Sequence, residues 1–262
     1  MARCGTSSSG RRSARQFSQT GCRGLHHMIR EHFQYRETIT TILADDPAHV
    51  GAAKAGLMEA RREVEDCIAE DPFFAITYSP HRPAFRGRVV DRMVEAAAEA
   101  GVGPMAAVAG AIAWSGAEAM REAGASFGVI DNGGDIALFT DREIRVGVHA
   151  GGAPLSNRIA FEVPPTDGIL GICTSSATVG HSVSLGIADA VTVFCPDVAL
   201  ADAWATALCN TVTPYDDSAF DPLEGGRVQG VLVIIGDHVA MWGALPPLVG
   251  ATVDSDLITR GQ

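Results

Sequence analysis

The sequence predicts an α+β fold: a single domain with a mainly antiparallel or mixed sheet and packed Ala-rich helices. Three observations carry this. Helical segments are interleaved with hairpins rather than alternating strictly with single strands. Two turn signals, Asn132-Gly133-Gly134-Asp135 and Gly236-Asp237, each sit between apolar runs, the pattern of tight antiparallel hairpins. The helical stretches are rich in Ala and Gly, which lets backbones pack closely. No clean boundary interrupts the chain after Met28.

The elements follow in order. Alternation over residues 33–43 predicts one or two short strands. Asp45-Asp46-Pro47 starts a helix to about Glu70, with proline in the first turn, where its missing N–H costs nothing. Leu57, Val64 and Ile68 mark its apolar face, and Pro72 stops it. Residues 73–78 read as a short strand and 79–83 as a loop. Residues 89–100 form a second helix closed by Gly101. Gly103-Pro104-Met105 opens a long Ala-rich helix toward Ala123. Strands are expected at 127–130, 136–139, 144–148, 159–163, 168–173 and 188–194. A helix at 198–210, an acidic loop at 214–222 and a final hairpin of 230–235 with 238–242 complete the reading.

Composition bounds the function. Hydrophobic residues make up 47% and charged residues 19% of 262, enough to bury a core without metal or disulfide staples. A net charge of −11 with no basic face argues against nucleic-acid binding. An anionic ligand would need a metal cation or a helix N-terminus. The six cysteines, Cys4, Cys22, Cys67, Cys173, Cys195 and Cys209, include no C-x-x-C pair, which argues against a zinc knuckle or a redox motif. Free thiols in apolar contexts fit a reducing cytoplasm. Residues 1–27 are Ser- and Arg-rich without an acidic residue. They are expected to be a disordered or spurious extension, with residues 28–262 forming the domain. They hold no apolar run long enough for a signal sequence or a membrane span, so no membrane association is expected.

The chemistry concentrates between Gly171 and Asn210. Asp202 and Thr206 lie one helical turn apart on one face. Two such oxygens suit a hard cation such as Mg²⁺; the bland alternative is a solvated aspartate. Ala201, Ala203, Ala205 and Ala207 keep that helix slim. Thr174, Ser175 and Ser176 open a hydroxyl-rich loop that leads to His181, a candidate proton carrier or phosphate donor. Asn132, Gly133, Gly134 and Asp135 form a turn by the bland reading. By the functional one, the glycines let a ribose or phosphate approach backbone N–H groups, and Asp135 accepts from the ligand. Cys173 reads as a buried thiol.

These residues, in this order, resemble the ApbE-like superfamily, which includes FAD:protein FMN transferases. Asn132-Gly133-Gly134-Asp135-Ile136 is similar to its GGD segment, Cys173-Thr174-Ser175-Ser176 to its T-S-G step, and 201–207 to its A-D-A-x-x-T-A helix. From Met28 the chain resembles the UPF0280 branch, with 101–110 and 231–237 typical of it. The resemblance implies a small-molecule nucleotide ligand, FAD or FMN, and Mg²⁺ held by Asp202 and Thr206. It also implies a link to sulfur assimilation and homocysteine formation, with partner proteins or a homo-oligomer left open. The chain departs from the transferases at two places. Ala109-Gly110 lacks the lysine of their A-K-G step, and the segment after His181 lacks their His-x-x-Asp-Pro pattern. The expectation is therefore flavin binding in a non-catalytic or uncharacterised role. The alternative is Mg²⁺-dependent FAD pyrophosphate cleavage or FMN transfer.

Overall fold

The computed structural model describes residues 28–178, 186–253 and 259. The first hairpin is β1 (Ile29–Tyr35) with β2 (Thr38–Ala44). Helix α1 (Pro47–Glu70) starts as its sequence directs: the Asp46 side chain accepts the Ala48 N–H at 2.7 Å and Pro47 follows. Val50, Ala53, Leu57, Ala60, Val64 and Cys67 form its buried stripe at helical spacing.

Residues 72–75 are a 3-10 turn and not the start of the expected strand. The Asp71 carboxylate caps the Phe73 N–H at 3.2 Å, and Pro72 fixes the backbone at a helix-compatible φ. His81 closes the segment by pairing with Asp71 at 2.7 Å, a contact that holds the Asp71 carboxyl below its usual range. Helix α2 (Arg88–Ala100) ends on Gly101 in the left-handed conformation. Its start has no cap of its own; Glu63 of α1 accepts both the Val89 and Val90 N–H groups. The expected long Ala-rich helix divides into a 3-10 turn (Pro104–Ala107) and α3 (Val108–Glu122).

Then come β3 (Gly128–Asn132), β4 (Asp135–Phe139), β5 (Ile144–Gly147), β6 (Ile159–Val163), β7 (Leu170–Ser175) and β8 (Ala190–Cys195). Helix α4 (Val198–Thr211) is capped by Asp197, which accepts the Leu200 N–H at 3.0 Å. The acidic loop contains a 3-10 segment, Asp217–Leu223, capped by Asp216. Strands β9 (Gly230–Ile235), β10 (His238–Gly243) and β11 (Leu248–Gly250) are the last elements among the described residues; β11 is too short to show a pattern in the sequence.

Strands β1-β2-β3-β4-β7-β8-β9-β10 form one sheet in that order, and β11-β6-β5 a second. Every strand pairing among the described residues is antiparallel. The period-2 alternation sorts the two faces of the large sheet. Ile130, Cys173, Val193 and Val231 pack under the helices. Val129, Ile172, Phe194 and Leu232 pack toward the second sheet. Phe161 and Phe194 meet edge-to-face there, with centroids 4.7 Å apart. Among the described residues no single helix is long and apolar enough to cross a membrane; α2 and the 104–122 stretch pass such a test only as a pair bent by 108°.

Candidate functional site

The Gly133-Gly134 turn joins β3 to β4 with only two residues, and both have positive φ, 72° and 106°. That is the geometry of a primed hairpin turn, which glycine adopts without steric cost. At Gly134 the requirement is conformational and not one of space, since an added Cβ would meet only the Thr174 carbonyl at 3.7 Å. Asp131 braces the turn by accepting the Gly134 N–H at 2.9 Å.

Strand register decides which neighbours share a face. Asn132 pairs with Asp135, and Asp135 with Cys173, so all three point toward the helices. There Asn132 Nδ2 donates to the Ala109 carbonyl at 3.0 Å. From the other side, Asp202 Oδ2 accepts the Gly110 N–H at 2.8 Å. The first turn of α3 has no cap of its own, and the α4 carboxylate serves those orphan amides instead. Only Gly110 permits the approach: a Cβ there would lie 2.6 Å from the Val198 carbonyl and 2.8 Å from Asp202 Cβ. Asp202 is 7% exposed, which sets aside the solvated-aspartate alternative. Thr206, one turn along α4, is half-buried.

The site concentrates negative charge. Burial pushes the Asp135 carboxyl well above its ordinary range, and the nearby Asp202 and Asp131 charges push it further. Burial pushes Asp202 up to about 7, against the pull of the Gly110 and Ala109 amides. Among the described residues neither has a Lys, Arg or His partner in an ion pair. Cys173 lies beside them, its Sγ 3.5 Å from the Val198 carbonyl. Its thiol is raised well above normal by burial first and the Asp135 and Asp202 charges second.

The structure thus brings Asn132, Asp135 and Asp202 together, with Gly133-Gly134 adjoining. Thr174 and Ser175 belong to strand β7 and not to the expected loop. The Thr174 side chain points to the opposite face, where its hydroxyl meets that of Thr192 at 2.9 Å; its N–H donates to the Gly134 carbonyl at 3.2 Å. Ser175 is buried and shares the register face of Cys173. Ser176 begins the loop and accepts the Thr178 N–H at 3.1 Å. His181 lies outside the described residues. A cavity of about 500 Å³ is lined by Trp114, Glu118, Arg121, Glu122, Ile169 and Pro196, and none of Asn132, Asp135 and Asp202 borders it. Sequence reasoning missed Gly110, Asp131 and Thr259. Only Gly110 left a trace, a glycine at the start of an Ala-rich helix.

The chain matches the family described as AbpE bacteria over residues 22–220. It is 62% identical to the UPF0280 protein of Methanoculleus marisnigri over 235 residues, 90% of this chain and 97% of the relative. It is 56% identical to the UPF0280 protein of Methanosphaerula palustris over 235 residues, 90% and 99% of the two chains. The chain belongs to the UPF0280 family. Among solved structures this UPF0280 chain is similar to the flavin transferase ApbE of Vibrio cholerae, with a TM-score of 0.57 at 13% identity over 83% of this chain and 97% of that one. It is also similar to the apo flavinyl transferase ApbE of Pseudomonas stutzeri, with a TM-score of 0.56 at 12% identity over 90% and 98%. At such identities the likeness is one of fold.

Proposed function

We propose that this UPF0280 protein binds a flavin nucleotide, or a similar anionic metabolite, through a divalent cation held by Asp202 and Thr206 with Asp135 beside them. The observation that carries this reading is the neighbouring pair of carboxylates, buried Asp202 and half-buried Asp135, with no cationic ion-pair partner among the described residues. Buried charge is retained when paired or when it coordinates a metal. The donors are hard oxygens, which suit Mg²⁺ rather than a soft metal. Among the described residues no group of three or more His, Cys, Asp or Glu is placed to enclose an ion. A partial set agrees with Mg²⁺ chemistry, in which one or two carboxylates are completed by water and ligand phosphates.

When bound, the cation would neutralise phosphate charge that a chain of net charge −11 otherwise repels. The protein's own residues position the rest. Asn132 holds the Ala109 carbonyl, Asp202 holds the Gly110 amide, and both fix the start of α3 beside the site. The Gly134 N–H is committed to Asp131, so of the two turn glycines Gly133 would be the one to offer its N–H to a ligand. Thr174, Ser175 and Ser176 would contribute the edge of the site through backbone and hydroxyl groups, and His181 would carry a proton. The absence of a lysine at Ala109-Gly110 favours binding over FMN transfer.

A role in sulfur assimilation would rest on a partner rather than on these thiols. Burial pushes Cys67 and Cys195 each up to about 11 and Cys173 well above its ordinary range, and a sulfur-carrying cysteine works as the thiolate. The test is calorimetric titration of FMN and FAD with and without Mg²⁺, together with a search for AMP and FMN after incubation with FAD. Mg²⁺-dependent binding without AMP release supports the binding reading. AMP release moves the assignment to pyrophosphate cleavage, and no binding of either flavin removes the flavin reading.

A further inference from the structure

A residue 128 positions beyond Asp131 reaches back to brace the glycine turn. Asp131 uses one carboxylate oxygen, Oδ1, to hold the Gly134 N–H at 2.9 Å. Its other oxygen, Oδ2, lies 2.6 Å from the Thr259 hydroxyl, a distance typical of a charge-assisted O–H···O⁻ bond. The same hydroxyl oxygen is 2.8 Å from Thr41 Oγ1, and Thr41 pairs directly with Asp131 across β2 and β3. Thr259 and Thr41 are both buried, 7% and 5% exposed. An ionised carboxylate only accepts, so it takes the single Thr259 proton. Bridging residues so far apart in the chain carries a loop-closure cost, which the two contacts at one buried oxygen must offset.

The direction of the contact matters. Register puts Asp131 on the second-sheet side of β3, while Asn132 and Asp135 point to the helix side beside Asp202. The turn linking them is thus held from behind by Thr259 and presents its ligand side in front. We propose that Thr259 is a positioning residue: its hydroxyl orients Asp131, which fixes the Gly133-Gly134 turn and with it the backbone that meets the ligand. This rests on the flavin-site reading for the ligand, but the bracing of the turn is independent of it.

The full chain is compared as wild type, Thr259→Val, Thr259→Ser and Thr41→Val, by amide hydrogen exchange at Gly134 and by calorimetric titration with FMN in Mg²⁺. The expected result for Thr259→Val is Gly134 exchange faster by about tenfold and FMN binding about three- to tenfold weaker, the net scale of one ordinary hydrogen bond. Thr259→Ser keeps the hydroxyl and should restore both, a rescue that mere packing would not give. Thr41→Val should move both in the same direction by less. Unchanged Gly134 exchange in Thr259→Val overturns the proposal. So does faster exchange with FMN affinity intact, because the turn would then be free to move without cost to the ligand. If the wild type binds no FMN, the flavin reading fails, and Gly134 exchange still decides on its own whether Thr259 braces the turn.

Discussion

Asp202 on α4 accepts the Gly110 N–H of α3 at 2.8 Å, across 92 residues of sequence. One carboxylate therefore has two tasks: capping a helix that has no cap of its own, and supplying the proposed cation ligand. The two can be separated by substitution. Asp202→Asn keeps a carbonyl oxygen for Gly110 and should leave the fold intact while weakening Mg²⁺-dependent FMN binding at least tenfold. Asp202→Ala leaves a buried N–H unpaired and should cost about 1–3 kcal/mol in urea unfolding. Equal FMN affinity for wild type and Asp202→Asn would remove the carboxylate from the metal site.

Gly110→Ala tests the close approach itself. In an exposed helix interior this change gains up to about 1 kcal/mol. Here the new methyl would lie 2.6 Å from the Val198 carbonyl and 2.8 Å from Asp202 Cβ. Both contacts involve main chain or its immediate attachment, so α3 and α4 must move apart. Overpacking of this kind costs about 1–3 kcal/mol. A melting temperature at or above that of the wild type would show that the helices separate freely.

Much of this was legible beforehand, and the gaps have physical causes. Helices α1, α2 and α4 and the hairpins around Gly133 and Gly236 announce themselves through proline, glycine and apolar period, which are local signals. Residues 72–75 misled because Phe73, Ile76 and Tyr78 look like strand residues; all three are exposed, and the Asp71 cap decides the geometry. The order of Asp135, Cys173 and Asp202 was visible, but their shared face depends on strand register. The Thr174 hydroxyl points away for the same reason: one step along a strand reverses the face. The links Gly110–Asp202 and Asp131–Thr259 join segments far apart in sequence, where no local pattern reaches.

Stability should depend on pH in a direction set by the buried acids. The Asp202 carboxyl is raised from an ordinary 3.8 to about 7, mainly by burial, and Asp135 is raised well above its ordinary range too. The folded state therefore holds these protons more tightly than the unfolded chain. For Asp202 the stabilising contribution is complete below about pH 3.8 and is lost as pH rises through about 7; Asp135 acts in the same direction. Without Mg²⁺, the melting temperature should fall between pH 5 and pH 8. Asp202→Asn should flatten that fall, and added Mg²⁺ should flatten it by favouring the charged form. A melting temperature that rises with pH over this window in the metal-free protein would contradict the assignment.

The thiols should be inert while the protein is folded. Cys67, Cys173, Cys195 and Cys209 are buried and form no disulfide. A thiol at about pKa 11, as at Cys67 and Cys195, is only ~0.1% thiolate at pH 8. In a variant with Cys4→Ser and Cys22→Ser, a thiol reagent should label nothing within minutes and all four groups after denaturation. Rapid labelling of Cys173 in the native state would place it in an open site and revive a sulfur-transfer role.

Asp135→Asn separates repulsion from coordination. Asp202 is one of the charges that raise Asp135, so neutralising Asp135 removes a like-charge contact in a buried setting. Without a cation, the substitution should raise stability at pH 8, where both carboxylates are otherwise under pressure to ionise. With Mg²⁺ the sign should reverse if Asp135 contributes to holding the ion: the variant should gain less stability from added Mg²⁺ than the wild type does. The double variant Asp135→Asn/Asp202→Asn completes the cycle. Residues that share one ion give strongly non-additive effects, whereas independent ones add within about 0.5 kcal/mol. Additive Mg²⁺ responses would confine the cation to Asp202 and Thr206 and leave Asp135 as a ligand-facing acid. A wild type whose melting temperature ignores Mg²⁺ altogether would leave both carboxylates as protonated, hydrogen-bonded parts of the core.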